Sequence, residues 1–140
     1  DGAGHRFLTS GQNLVLTPRF APAEQRITYM SFDAQRPRVW LYTLGSGQQQ
    51  NVGNFATMNF APRFAPDGRS LVFSMAVAGN TDIYTHDLAS GTTTRLTTAP
   101  GIDTAPSYAP DGRQIVFESD RGGSQQLYVM NADGTDQRRI

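Results

Sequence analysis

The sequence contains no cysteine, and no lysine either, since all 12 of its basic residues are arginine. Without a thiol there is no disulfide scaffold, no thiolate zinc site and no cysteine nucleophile. Net charge is absent as well: 12 basic residues balance 12 acidic ones, which argues against nucleic acid, a partner that usually selects a basic face. Long hydrophobic runs are missing. The longest candidate, Leu71 to Gly79, is interrupted by Ser74 and falls short of the roughly 18 residues that a membrane helix needs. No segment sustains an apolar stripe of helical period, so strands rather than helices are expected.

What the chain does contain is turns and repetition. A hydrophobic share of 38% with 14 Gly and 8 Pro suits a turn-rich globular domain rather than a disordered one. A length of 140 residues would by itself suggest one ordinary domain with a sizeable core. Self-comparison changes that estimate. Pro18-Arg19-Phe20-Ala21-Pro22 returns as Pro62-Arg63-Phe64-Ala65-Pro66, and again as Pro106-Ser107-Tyr108-Ala109-Pro110, each time after 44 residues. Five more columns keep the register: Ile27, Leu71 and Ile115; Tyr29, Phe73 and Phe117; Val39, Ile83 and Leu127; Trp40, Tyr84 and Tyr128; Val52, Leu96 and Ile140.

Each unit reads as four short strands. Leu71-Val72-Phe73-Ser74 and Ile115-Val116-Phe117-Glu118 are rich in β-branched and aromatic residues. Turn signals separate them: Pro66-Asp67-Gly68 and Pro110-Asp111-Gly112, then Gly79-Asn80 and Gly122-Gly123, then Ser90-Gly91 and Asp133-Gly134. Four strands in about 44 residues specify the blade of a β-propeller. The fold class is therefore all-β: a β-propeller portion of three four-stranded antiparallel blades. The strand around Phe64 to Ala65 is expected innermost and Thr93 to Thr97 at the outer edge. Blades pack face to face, which explains why Leu71, Val72 and Phe73 are consecutive apolar residues. Ala23-Glu24 replaces Asp-Gly in the first unit, so a looser turn is expected there. The assignment is one partial propeller over residues 1–140, with blades over 18–61, 62–105 and 106–140. Residues 1–17 are assigned to the outer strand of a preceding blade and its connection. Asp1 to Leu8 lies three periods before Asp133 to Ile140, so the chain reads as three blades and one orphan strand.

Several of these stretches resemble the propeller repeat of the TolB family. They are Pro62 to Arg69, Asp82-Ile83-Tyr84, Asp87-Leu88-Ala89-Ser90-Gly91, Arg95-Leu96-Thr97, their third-unit counterparts, and the run Phe7 to Phe20. The resemblance implies half of a six-bladed propeller, a periplasmic location, no enzymatic activity and a place in the Tol–Pal system of the cell envelope. It implies docking of a Pal-like peptidoglycan-associated lipoprotein, other Tol proteins or disordered peptides at the channel mouth. The α/β domain that precedes the propeller in that family has no counterpart here. Peptidase-associated propellers carry similar Pro-Asp-Gly blades, so the alternative is a gating fragment of a serine peptidase.

By this resemblance the partner-binding residues are Met58, Phe60, Asp103 and Thr104, with Leu14 and Leu16 in the equivalent places of the first unit. Other readings stay open: Phe60 and Leu16 as packing between blades, Asp103 and Thr104 as solvent-exposed or bonded to local backbone. Arg19 and Arg63 stand in equivalent places beside the channel, where each either grips a partner carboxylate or pairs with an acid of an adjacent blade.

Catalysis finds little support. Gly122-Gly123-Ser124-Gln125-Gln126 lacks the last Gly of a nucleophile elbow, and His5 and His86 belong to different units. Asn131, Asp133 and Asp136 lack the spacing and terminal Glu of a calcium loop. No cofactor is expected, although the resemblance leaves calcium in the channel conceivable, with Asp103 as its one nameable ligand. Three blades do not close a ring. Either two chains join about a twofold axis into six blades, or these residues are an excerpt of a longer chain.

Overall fold

A computed structural model describes residues 2–33 and 35–140. Twelve strands form three separate four-stranded antiparallel sheets, each following chain order from its inner to its outer strand. The first sheet holds β1 (Val15–Phe20), β2 (Arg26–Asp33), β3 (Arg36–Thr43) and β4 (Gln49–Asn51). The second holds β5 (Asn59–Phe64), β6 (Ser70–Val77), β7 (Asn80–Asp87) and β8 (Thr93–Arg95). The third holds β9 (Asp103–Tyr108), β10 (Gln114–Ser119), β11 (Gln126–Asn131) and β12 (Arg138–Arg139). Among the described residues there is no helix long and apolar enough to cross a membrane.

The middle strand β6 shows why its run is continuously apolar. Leu71 and Phe73 enter one core with Val39, Leu41 and Val52 of the first blade. Val72 turns the other way, into a second core with Ile115, Phe117 and Met130 of the third. Successive residues of a strand point to opposite faces, and a middle blade has a neighbour on each side, so both faces select apolar side chains.

The outer blades each keep one open face. Ile83 is 0% exposed beneath the third blade, whereas its counterpart Leu127 is 51% exposed. Likewise Phe64 is 9% exposed and its counterpart Phe20 71%. The residues are alike and the neighbours differ.

Turn chemistry follows composition. Gly68 N–H donates to Ala65 O at 2.9 Å, and Asp67 Oδ1 accepts from Arg69 N at 2.9 Å. Gly112, Ala109, Asp111 and Arg113 repeat that arrangement. Gly68 has a φ of 70°, a conformation that costs other residues about 1–2 kcal/mol. In the first blade the stretch Pro22 to Gln25 consists of bends without that hydrogen-bonded turn, as expected for Ala23-Glu24. The β6–β7 turn falls on Ala78-Gly79, with φ of 51° and 85°, rather than on Gly79-Asn80. Asn80 instead opens β7, pairing with Val77.

One expectation about boundaries is revised. Each repeated proline lies inside its innermost strand, because the strand begins three residues earlier, at Val15, Asn59 and Asp103. Residues 15–17, assigned above to a connection, thus belong to β1. Residues 2–14 form no strand; an outer strand exists only by laddering onto a neighbour, and the described residues supply none. Asp1 lies outside the described residues.

Candidate docking face at the channel mouth

Strand order dictates which residues gather at each end of the blades. Innermost strands begin at one end, where the β2–β3 and β6–β7 hairpins also turn. The Asp-Gly turns and the turn at Asp87 to Thr92 lie at the opposite end. Exposed large apolar side chains are distributed unevenly between them. Leu14, Leu16, Met58, Val77 and Ile102 are all exposed at the first end. The remaining ones are Phe7 of the N-terminal segment and Phe20, Leu127 and Ile140 of the open blade faces. Arg36, Ala56, Thr57, Met58 and Ala76 line a shallow groove where the first two blades meet at this end.

A backbone irregularity aims these side chains. The β1–β2, β5–β6 and β9–β10 ladders each shift register in mid-strand. The residue at the shift, Thr17, Ala61 or Ala105, has positive φ of 54°, 53° and 52° respectively. A β-bulge bends its strand and redirects the residues beside it, here Leu16, Phe60 and Thr104 just before it and Arg19 and Arg63 two positions after. No Gly marks these sites, so local sequence chemistry offers no signal; only their 44-residue recurrence does.

The eight expected site residues divide accordingly. Leu14, Leu16 and Met58 are exposed at the mouth, and Phe60 is half-buried. Neither Leu16 nor Phe60 is among the residues of the two inter-blade cores. Thr104 is half-buried and accepts from Gln125 Nε2 at 3.4 Å.

Asp103 is a correction. It is fully buried at the start of β9, where Arg121 Nη2 donates to its Oδ2 at 2.7 Å. Burying a carboxylate is costly unless it is paired, and with this pairing Asp103 lies beneath the surface. The partner was not apparent in the sequence because Arg121 aligns with Val77 and Asp33, so it stands in no repeated column. Its guanidinium also lies 5.3 Å from the Phe117 ring and 5.0 Å from Tyr128. Next to it, Asp120 Oδ1 accepts from Ile102 N at 2.7 Å and anchors the connection into β9.

The same pairing bears on calcium. Among the described residues no group of three or more His, Asp or Glu is placed to hold a metal ion. Asp103 gives only its Oδ2 to Arg121, while its Oδ1 is buried without a hydrogen-bond partner among the described residues; no second or third carboxylate is placed beside it to complete a calcium site. Asp133 Oδ1 is taken by the Thr135 amide and hydroxyl at 3.0 and 2.7 Å, a turn rather than a ligand loop.

Arg19 is exposed and Arg63 half-buried. Each turns its Nη1 back onto the preceding proline carbonyl, at 2.7 Å to Pro18 O and 2.9 Å to Pro62 O. Among the described residues neither forms an ion pair, unlike Arg26, Arg95, Arg121 and Arg138. Burial, and secondarily the Arg19 charge, push the Arg63 guanidinium below its usual pKa.

The two histidines are far apart in role. His5 is exposed and donates from Nδ1 to Gly2 O at 2.9 Å. His86 is buried, with Nδ1 2.7 Å from the Thr93 hydroxyl and its ring edge-on to Phe55.

This chain matches, over residues 1–140, the family model described as the TolB beta propeller domain. It belongs to the TolB β-propeller family. It is 64% identical over 47 residues to the Tol-Pal system protein TolB of Zymomonas mobilis, covering 34% of this chain and 10% of that protein. It is 57% identical over 60 residues to TolB of Paramagnetospirillum magneticum, covering 43% and 13%. The crystal structure of TolB from Acinetobacter baumannii superposes with a TM-score of 0.86 at 37% identity, over 95% of this chain and 33% of that one. The chain thus spans a third or less of the length of these three relatives. The tricorn protease, at a TM-score of 0.72 and 22% identity, shares the fold alone.

Proposed function

We propose that this TolB-type half-propeller is a non-catalytic protein-docking module. In this reading the channel mouth binds a Pal-like peptidoglycan-associated lipoprotein, in competition with short disordered peptides, and other Tol proteins share the assembly. Its setting is the periplasm, where such contacts serve envelope integrity and cell division. The observation that carries the reading is the gathering of Leu14, Leu16, Met58, Val77 and Ile102 at one end of the blades. Exposed apolar clusters on a polar-turned molecule mark interaction sites. The Tol-Pal names of the relatives in Zymomonas and Paramagnetospirillum support the choice of partner. The alternative of peptidase gating rests on neighbours that share the fold alone, so no observation favours it.

Isothermal titration of a Pal-like domain into the intact chain tests the docking. Met58→Asp places a charge in the mouth without touching a core, and at least tenfold weaker binding is expected. Unchanged affinity in Met58→Asp and Leu14→Asp together would remove the mouth as the binding face.

A further inference from the structure

We infer that Arg19 and Arg63 form a carboxylate-binding subsite on the channel wall, which takes the side chain of an acidic residue in an extended, otherwise apolar peptide segment. The inference deepens the docking reading and rests on it for the peptide, though not for the anion.

Three observations meet at this pair. First, the pair is placed by repetition: each arginine sits two residues beyond a positive-φ bulge on adjacent innermost strands. Second, it is electrically unfinished. Among the described residues neither guanidinium has a carboxylate partner, whereas the buried Asp82 and Asp103 have recruited Arg95 and Arg121. Two like charges are near enough that Arg19 adds to the depression of the Arg63 pKa. Such an arrangement costs free energy that an anion between the two would relieve. Third, the groups are held in place. The bond from each Nη1 to a proline carbonyl fixes the fork, and the Nε–Nη2 edge has no protein partner among the described residues. That edge presents two parallel donors matched to the two oxygens of a carboxylate.

The flanking residues decide the carrier. Leu16 and Phe60 precede the two bulges and lie outside the inter-blade cores. A free small anion would use the charge and ignore this apolar border, while a segment with an acidic residue between apolar ones would use both. The third blade has Ser107 in place of the arginine, so the charge is confined to the first two blades, and the acid of the segment is expected beside them.

Arginine-selective NMR of the intact chain, following the Nε–Hε signals, tests the subsite. The probes are a capped Leu-Glu-Leu peptide, its Leu-Gln-Leu counterpart and sodium acetate. The expected result is saturable shifts of Arg19 and Arg63 with the Glu peptide, weaker shifts with acetate and none with the Gln peptide. Arg19→Gln, at an exposed position, should weaken Glu-peptide binding about tenfold, as loss of a charge-assisted pair implies. Acetate binding as strongly as the peptide would overturn the peptide as carrier. Static Arg signals under the Glu peptide would overturn the subsite. If a Pal-like domain binds the mouth while both Arg signals stay fixed, the inference fails and the docking reading stands. If the Arg signals move with the Glu peptide and no Pal-like domain binds, the docking reading fails and the subsite stands.

Discussion

His86 illustrates how one position in a repeat acquires its own chemistry. Its counterparts are Tyr42 and Met130, so the site tolerates a bulky side chain, yet the second blade buries an imidazole there. Burial pushes the His86 pKa below 6.5, against a smaller opposing effect of Asp87. A histidine whose folded pKa lies below its unfolded value binds fewer protons when folded. Its contribution is intact above pH 6.5 and is lost as pH falls through the unfolded pKa toward the folded one. Urea midpoints measured between about pH 7.5 and 5 should therefore fall toward acid, with His86 responsible for part of the slope. His86→Met, copying the third blade, is expected to flatten that part. An unchanged slope would show that His86 does not titrate on unfolding in this range.

At the scale of elements, the connection from β8 to β9 is the segment that a small change would disturb most. Gly101 has a φ of 131°. A Cβ there would lie 2.8 Å from Asp120 Oδ1 and 3.0 Å from Arg121 N, the two residues that anchor Ile102 and Asp103. Gly101→Ala thus combines a backbone conformation costing about 1–3 kcal/mol with a steric conflict against backbone. A loss of about 2 kcal/mol or more is expected in chemical denaturation, with faster amide exchange at Ile102 as the local signature. The four-strand order of each blade was legible because Asp-Gly turns and β-branched runs are local signals. The bulges at Thr17, Ala61 and Ala105 were not, since no glycine announces them and their conformation is imposed by the ladder to the second strand.

On the scale of the whole molecule, the two outer faces decide behaviour. The face carrying Leu127 and Ile140 repeats the one that Ile83 and Leu96 bury against the third blade. The face carrying Phe20 repeats the one that Phe64 buries against the first. One face is the natural mate of the other, and a second copy offers both. The chain on its own is expected to associate into a closed dimer of six blades, with twice the chain mass by light scattering coupled to size exclusion. Leu127→Arg should shift it to the monomer. A wild-type monomer at high concentration would rule out this closure and leave further blades in a longer chain as the way the ring is completed.

Leu71, Val72 and Phe73 show how far the sequence reaches by itself. Their uninterrupted apolar run, in register with two sister units, determined a doubly covered strand, a four-stranded blade and the number of blades. Repetition and strand period are properties of the chain alone, so they can be read without coordinates. Asp103 shows what only the tertiary structure decided. Its loop-like setting pointed to the surface, but Arg121, in no repeated column, folds across to meet it and makes burial tolerable. The reverse holds for Arg19 and Arg63, whose expected acid partners on neighbouring blades are not there among the described residues. Which charges find one another depends on distances between strands far apart in sequence. On the two innermost strands β1 and β5, those distances left two arginines without a counter-ion among the described residues.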